Sequence, residues 1–372
     1  MKKIFSYIFC FIFVLLFSSA AYANNFAYLI VDGQSGKIMA SHRADEIRPP
    51  ASLTKKMTLY LIFEALRAGK ITLQTRFSVS KLATMQEPCN LWLKMGETIN
   101  VKDIIYALVT RSANDVSIVI AEGLCGSVEN FAAVMNKKAK ELGMTKTKFY
   151  NPTGLPNKRQ ITTARDMMIL ARALYRDFPN EFSYFKAKKF HYNGKPIRNH
   201  NRMLNSFTGA DGIKTGFTFA SRFNISVSAQ RVGIDGKPIR VFAVVLGGQT
   251  SVSRDKKAAE LMEKAFKKLN ATPRMQAITA TQDDIDAIVE KIDETKVEEQ
   301  PQEIEKSTIK PKRRNNKKAK IKAKPVASKA VEASQISVTL KTPKDSIDDI
   351  LNSPISVNIN RDLPTGWIRP KP

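Results

Sequence analysis

The pattern of apolar and polar positions predicts strands at both ends of a helical middle. Strand-like runs at 26–31 and 37–41 surround a cluster of turn residues and predict an N-terminal hairpin. Apolar residues then recur at helical spacing in five segments, 53–66, 101–109, 115–124, 128–142 and 163–174. Two strands and a last helix follow, at 225–229, 240–246 and 255–269. This order predicts an α+β domain in which an antiparallel sheet joins both chain ends.

The first 23 residues have the pattern of a secretory signal sequence. Lys2 and Lys3 precede an uncharged run at 4–17, which is shorter than the roughly 20 residues of a membrane-spanning helix. The small-residue site Ala21-Tyr22-Ala23 follows it. We therefore expect export to the periplasm or cell envelope, a mature chain that begins near Asn24, and no transmembrane helix in that mature chain.

Composition changes near residue 270. Of the 31 aromatic residues, only Trp367 lies beyond that point. The segment 283–305 holds ten acidic and two basic residues, and 306–329 holds eleven basic and no acidic ones. This composition predicts a charged, low-complexity and mostly disordered tail at 271–372, after a domain at 24–270. We expect 306–329 either to contact anionic membrane or wall polymers or to be a solvated linker.

The charge excess lies mainly in the predicted domain. The chain has 60 Lys and Arg residues against 34 acidic ones, a net charge of +26. Residues 24–270 hold 39 basic and 19 acidic residues, whereas 271–372 hold 19 and 15. Such a balance is typical of nucleic-acid binding, but export makes that partner unexpected. We therefore expect no nucleic-acid partner and interpret the charge as an attraction to an anionic envelope.

The cysteines and histidines do not predict a metal site. Cys89 and Cys125 remain after removal of the signal, in a compartment where disulfides persist, and the sequence leaves open whether they pair. His42, His191 and His200 are scattered without metal-ligand spacing. We expect neither a metal nor another cofactor.

The candidate chemistry begins at Ser52-Leu53-Thr54-Lys55, at the head of the first predicted helix. Residues three apart on a helix share a face, so the Lys55 amine can reach the Ser52 hydroxyl. A lysine can take a serine proton if its pKa falls from about 10.4 towards 7, which burial and a second cation promote. Alone the motif is weak, because Ser-x-x-Lys recurs at Ser78, Ser183, Ser253 and Ser307.

Two further motifs strengthen the assignment. Ser112-Ala113-Asn114 lies sixty residues after Ser52, and Lys214-Thr215-Gly216 a further 102 residues on. The three motifs, in this order, resemble those of penicillin-binding proteins and serine β-lactamases. More closely, the chain resembles the D-alanyl-D-alanine carboxypeptidases of the S11 serine peptidase family, the low-molecular-mass penicillin-binding proteins. That similarity covers about 27–269 and rests on the segments 50–55, 112–115, 151–155, 163–167 and 211–218.

The resemblance implies the penicillin-binding-protein fold and a role for each motif in cell wall remodelling. Ser52 would attack the carbonyl of the penultimate D-Ala of a peptidoglycan stem peptide, with Lys55 as general base, and β-lactams would acylate the same serine. Ser112 would pass the proton to the departing amine, and Asn114 would hold the substrate amide. A helix cap is the alternative role for Ser112. The N–H groups of Ser52 and Phe217 would stabilise the oxyanion.

The third motif would bind the leaving D-Ala. By resemblance, Lys214 and Thr215 bind its carboxylate, and Gly216 lets substrate backbone approach the strand edge. The charge of Lys214 would also lower the pKa of Lys55. Arg254 matches an arginine that assists carboxylate binding in the family, the alternative being a solvated arginine at a helix start.

The chain departs from the family pattern at three places. Lys158-Arg159-Gln160 stands where many relatives have a histidine, Phe217 stands where some have one, and Ala220-Ser221 replaces Ala-Gly. No Glu-x-x-Leu-Asn segment lies between the second and third motifs, which disfavours a class A β-lactamase. A D,D-endopeptidase acting on cross-links stays open because the chemistry is shared. A non-catalytic envelope-binding scaffold is the alternative from another class, and the complete set of motif residues disfavours it.

Overall fold

Residues 26–270 are described by the structure, a computed structural model. The expected signal sequence at 1–23 and the expected tail at 271–372 therefore lie outside the described residues. The strands within this range are β1 (Ala27–Asp32), β2 (Ile38–His42), β3 (Arg76–Ser78), β4 (Thr98–Asn100), β5 (Lys189–Tyr192), β6 (Lys195–Arg198), β7 (Ala210–Thr218), β8 (Arg222–Val232) and β9 (Pro238–Gly248).

The helices occupy the middle of the chain and its described C-terminal end. They are α1 (Lys55–Arg67), α2 (Lys81–Thr84), α3 (Val101–Thr110), α4 (Asn114–Cys125), α5 (Val128–Glu141), α6 (Ala164–Asp177), α7 (Met203–Ser206) and α8 (Ser251–Lys268). Two 3₁₀ helices lie at Ala51–Thr54 and Glu181–Lys186. No single helix in this part of the chain is long and apolar enough to cross a membrane, and α4 with α5 meets that criterion only as a pair bent by 83°.

Five strands form an antiparallel sheet in the order β2-β1-β9-β8-β7. The N-terminal strand β1 pairs with β9, so that Leu29 lies opposite Val244. The sheet therefore joins both ends of the described chain, as the sequence predicted. At the other side of the sheet, β7 is an edge strand, and one row of its backbone N–H and C=O groups is not paired with another strand of the sheet.

The central strand β9 is buried on both faces. Side chains of a strand point alternately to opposite sides, and here both sides are covered. Phe242, Val244 and Leu246 belong to the core formed with α1, α3, α4 and α6. Val241, Ala243 and Val245 belong to a second core, formed with α8. The result is three layers, with the sheet between the helical middle and the closing helix.

Most predicted elements are present, and the differences have physical causes. Strands expected at 225–229 and 240–246 extend to 222–232 and 238–248 because the ladder continues into polar positions beyond the apolar runs. The apolar pattern does not predict the strand β7, since its sequence ADGIKTGFT contains two glycines and no apolar alternation. The first helix begins with the 3₁₀ turn Ala51–Thr54, which packs against β7 and β8.

Candidate active site

Ser52 and Lys55 lie on one face of the chain where the 3₁₀ turn becomes α1. The Lys55 Nζ lies 3.3 Å from the Ser52 Oγ. Ser52 is partly exposed, whereas Lys55 is completely buried. The preceding Ala51 has a φ of 48°, a left-handed conformation that is unusual for a residue with a side chain. The turn therefore presents the hydroxyl to solvent while the amine stays inside.

The Lys55 amine also contacts two groups that can only accept hydrogen bonds. Its Nζ donates to Asn114 Oδ1 at 2.6 Å and to the backbone carbonyl of Thr153 at 2.5 Å. Burial, and secondly the charge of Lys214, hold the pKa of Lys55 well below its ordinary value. A neutral amine has two N–H bonds and one lone pair. In this neutral form the two acceptors occupy both N–H bonds, which leaves the lone pair for the Ser52 hydroxyl.

Ser112 lies at the start of α4 in a left-handed conformation, with a φ of 61°. It is 3% exposed, and its Oγ has no hydrogen-bond partner among the described residues. The N-cap of α4 is Ala113, without a side-chain cap, so the capping alternative for Ser112 is wrong. Buried hydroxyls are normally hydrogen-bonded. The Ser112 Oγ is therefore available to a substrate atom.

Asn114 connects the lysine to the loop at 88–93. Its Nδ2 donates to the carbonyl of Pro88, and its N–H donates to the carbonyl of Cys89 at 2.7 Å. The neighbouring Asp115 is buried and accepts the N–H of Leu91 at 2.8 Å. These bonds hold the loop beside the second motif. Cys89 and Cys125, whose pairing the sequence left open, are both free thiols.

The third motif lies on β7 against the serine turn. An added Cβ at Gly216 would lie 2.9 Å from the Ser52 N and 3.1 Å from the Leu53 N, so glycine is needed for this approach. The N–H of Phe217, the next residue, belongs to the edge strand. The Phe217 ring is 40% exposed and contacts Phe223, with ring centres 4.3 Å apart.

Lys214 supplies a second cation that is also buried. It is 1% exposed, and its Nζ donates to the Thr215 carbonyl at 3.1 Å. Burial, with a smaller contribution from the charge of Arg254, lowers the pKa of Lys214 to about 7. Without a bound anion, Lys214 is therefore only partly protonated at neutral pH. A carboxylate placed beside its amine would favour the charged form.

Arg254 is part of this centre and is not a solvated residue, so that alternative is wrong. It is 3% exposed. Its Nε donates to Asp255 Oδ1 at 2.8 Å, and its Nη1 donates to the Asn224 carbonyl at 3.2 Å. Hydrogen bonds, the close approach of Gly216 and the mutual effects of the charges connect Ser52, Lys55, Asn114, Lys214, Gly216 and Arg254. Ser112, Thr215 and Phe217 are neighbours of these residues along the chain.

Sequence reasoning missed the part played by the loop at 151–155. The Thr153 carbonyl accepts a bond from Lys55, yet a backbone acceptor leaves no mark in the sequence. The usable signal was Gly154, whose φ is +85° and whose added Cβ would lie 2.0 Å from the Ala51 carbonyl oxygen. Within residues 26–270, no group of three or more His, Cys, Asp or Glu side chains is placed to hold a metal ion.

Comparison with known proteins gives a consistent assignment. A family model described as D-alanyl-D-alanine carboxypeptidase matches residues 18–250. D-alanyl-D-alanine carboxypeptidase DacC of Escherichia coli (strain K12) is 37% identical over 248 residues, which is 65% of this chain and 61% of that protein. The matched region thus spans about three-fifths of the length of this relative.

Solved structures show the same fold. Penicillin binding protein 5 from Haemophilus influenzae superimposes with a TM-score of 0.62 at 31% identity, over 65% of this chain and 70% of that one. Penicillin-binding protein D2 from Listeria monocytogenes, in an ampicillin-bound form, gives a TM-score of 0.58 at 28% identity, over 64% and 96% of the two chains. The fold class expected from the sequence is confirmed.

Proposed function

Because the chain belongs to the D-alanyl-D-alanine carboxypeptidase family of serine peptidases, we propose that it removes the terminal D-Ala from peptidoglycan stem pentapeptides. One observation supports this most strongly. The buried Lys55 amine, with a lowered pKa and both N–H bonds taken by other acceptors, faces the Ser52 hydroxyl. This is the arrangement that a serine needs in order to become a nucleophile.

In the proposed reaction, Ser52 Oγ attacks the carbonyl carbon of the penultimate D-Ala while its proton moves to the Lys55 Nζ. The developing oxyanion accepts hydrogen bonds from the N–H groups of Ser52 and Phe217. The close approach of Gly216, the residue before Phe217, to the Ser52 nitrogen supports this pairing of donors. The proton then passes through the Ser112 hydroxyl to the departing D-Ala nitrogen as the C–N bond breaks. Water hydrolyses the ester on Ser52 and restores the enzyme.

The leaving D-Ala is held at the third motif, where the cations Lys214 and Arg254 lie. Lys214 and Thr215 bind its carboxylate, with Arg254 behind them, while Asn114 supports the substrate amide. The carboxylate raises the pKa of Lys214 from about 7, so that Lys214 is charged in the complex. That charge in turn keeps Lys55 neutral. Substrate binding therefore prepares the base.

The test is D-Ala release from a stem pentapeptide, with a cross-linked peptide dimer assayed beside it. We expect wild type to release D-Ala from the pentapeptide and Ser52→Ala to release none. Faster cleavage of the dimer would favour the endopeptidase alternative. No release from either, with wild type equal to Ser52→Ala, would favour a non-catalytic scaffold.

β-Lactams are the proposed covalent inhibitors, because they present a strained amide to the same serine. The penicillin-binding protein D2 that superimposes on this chain was solved with ampicillin bound. We expect intact mass to show a long-lived penicillin adduct on wild type and none on Ser52→Ala. Rapid return to the unmodified mass, with hydrolysis of the drug, would identify a β-lactamase.

Export and the tail contact are part of the proposal. Lys2, Lys3 and the uncharged run at 4–17 support cleavage before Asn24, and the N-terminal sequence of the protein recovered from the periplasm tests it. The eleven basic residues of 306–329 support contact with anionic lipid. Unchanged binding to anionic vesicles in low salt after deletion of 297–372 would contradict that contact.

A further inference from the structure

The loop that accepts a hydrogen bond from Lys55 is held by a buried glutamine with no role in the steps above. Gln160 is 3% exposed. Its Oε1 accepts the N–H groups of Tyr150 and Asn151 at 2.7 and 2.9 Å. Its Nε2 donates to Asn151 Oδ1 at 3.2 Å and to Thr54 Oγ1 at 3.3 Å. One side chain thus joins the loop to the start of the helix that carries the base.

Asn151 extends this connection to the peptide that contacts the base. Its Oδ1 accepts hydrogen bonds from the Thr153 hydroxyl at 2.9 Å and from the Gly154 N–H at 2.8 Å. Gly154 also lies directly against the Ala51 carbonyl, with no room for a side chain. The Thr153–Gly154 peptide is therefore held on two sides. Its carbonyl, which accepts from Lys55, has little freedom to turn.

We propose that Gln160 is a positioning residue for the general base. Through Asn151 it fixes the direction of the Thr153 carbonyl, and thereby the direction of the Lys55 lone pair towards the Ser52 hydroxyl. If that carbonyl turned away, one N–H of the amine would lose its acceptor. The amine would then donate to the Ser52 Oγ in place of accepting its proton. This inference rests on the proposed function, because it requires Lys55 to act as a base.

Two effects follow for a Gln160→Leu variant, which removes both the donor and the acceptor. The acylation rate falls roughly 10- to 100-fold, the range expected when a reacting group is misplaced by about an ångström. The pH dependence also changes. A carbonyl beside an ammonium group favours its charged form. Its loss lowers the pKa of Lys55 further, so the acidic limb of the rate profile moves to lower pH.

The experiment follows acylation by benzylpenicillin between pH 5 and 9, by intact mass. The rate constant comes from the time course of the fraction that reacts, so unfolded protein does not enter it. Asn136→Leu is the matched control. Just before the loop, Asn136 accepts from the N–H of Phe149 and donates to its carbonyl, each at 2.8 Å. It also donates to the Ala132 carbonyl at 2.9 Å, so none of these three bonds involves a residue that contacts Lys55.

We expect Gln160→Leu to show both the lower rate and the shifted limb, and Asn136→Leu to show neither, even if both variants lose stability. Asn151→Ala breaks the same connection at its other end and serves if Gln160→Leu does not fold. Where both single variants fold, the double variant Gln160→Leu with Asn151→Ala is no slower than the slower single one. A pH–rate profile of Gln160→Leu that matches that of Asn136→Leu overturns this inference and leaves the proposed function standing. A wild type that benzylpenicillin never acylates overturns the proposed function, and this inference with it.

Discussion

Replacement of Lys56 by methionine is expected to stabilise the protein, and more at low pH than at high pH. Lys56 follows the proposed base on α1 but points into the core, where it is completely buried. Its Nζ donates to the Met167 carbonyl at 2.8 Å and to the Ser226 Oγ at 3.1 Å. Burial lowers the pKa of Lys56 from 10.5 to about 7. Neither contact is with an opposite charge.

The sign and size of the effect follow from proton binding. Between pH 7 and 10.5 the unfolded chain holds the Lys56 proton and the folded protein has lost it, so this residue makes stability rise with pH. Below pH 7 both states are protonated, and the full penalty of burying the charge applies, about 4 to 5 kcal/mol. At pH 9 about 2 kcal/mol of that penalty is left. The advantage of methionine therefore shrinks by about 2 to 3 kcal/mol from pH 6 to 9.

Urea denaturation of wild type and Lys56→Met at pH 6, 7, 8 and 9 measures this difference. Methionine also leaves the Met167 carbonyl and the Ser226 hydroxyl without their partner, but that cost does not change with pH and cancels in the comparison. Lys267→Met, at an exposed position on α8, is the control and is expected to show no such trend. A stability difference that stays constant or grows with pH would refute the reasoning.

Three other outcomes are expected. Gly216→Ala lowers the rate of acylation by benzylpenicillin at least roughly tenfold, because its Cβ would meet the Ser52 N at 2.9 Å; a wild-type rate would contradict the close approach. Gly154→Ala lowers the urea midpoint, since its φ of +85° and a Cβ 2.0 Å from the Ala51 carbonyl oxygen leave no room, and an unchanged midpoint would show that the turn relaxes. Inhibition by N-acetyl-D-alanine weakens as pH rises through about 7, because Lys214 loses its proton there; pH-independent inhibition constants would show that Lys214 does not bind the carboxylate.

The residues of the site were predictable because their chemistry requires particular side chains at particular spacings. A serine three residues before a lysine shares its helix face, and the structure places the two groups 3.3 Å apart. The Thr153 carbonyl and the Gln160 network were not predictable in this way. A backbone acceptor can belong to any residue, and a buried glutamine looks like a surface one until its partners are known.

The fold, like the site, was predictable from the sequence only in part. The strands β1, β8 and β9 carry apolar runs and were found, since a buried sheet needs them. The edge strand β7 was missed by the pattern because its residues serve the site: Lys214 and Gly216 replace the apolar alternation that a strand would otherwise show. The residues proposed to bind the substrate therefore interrupt the apolar alternation from which this strand could have been predicted.

The central claim is that Lys55 activates Ser52 as a nucleophile. Peptide mapping after a short exposure to benzylpenicillin, in wild type and Lys55→Gln, tests it most directly. We predict an adduct on Ser52 alone in wild type and its near absence in Lys55→Gln at the same time point. An adduct on another residue, or equally fast labelling of Ser52 in both proteins, would contradict the account.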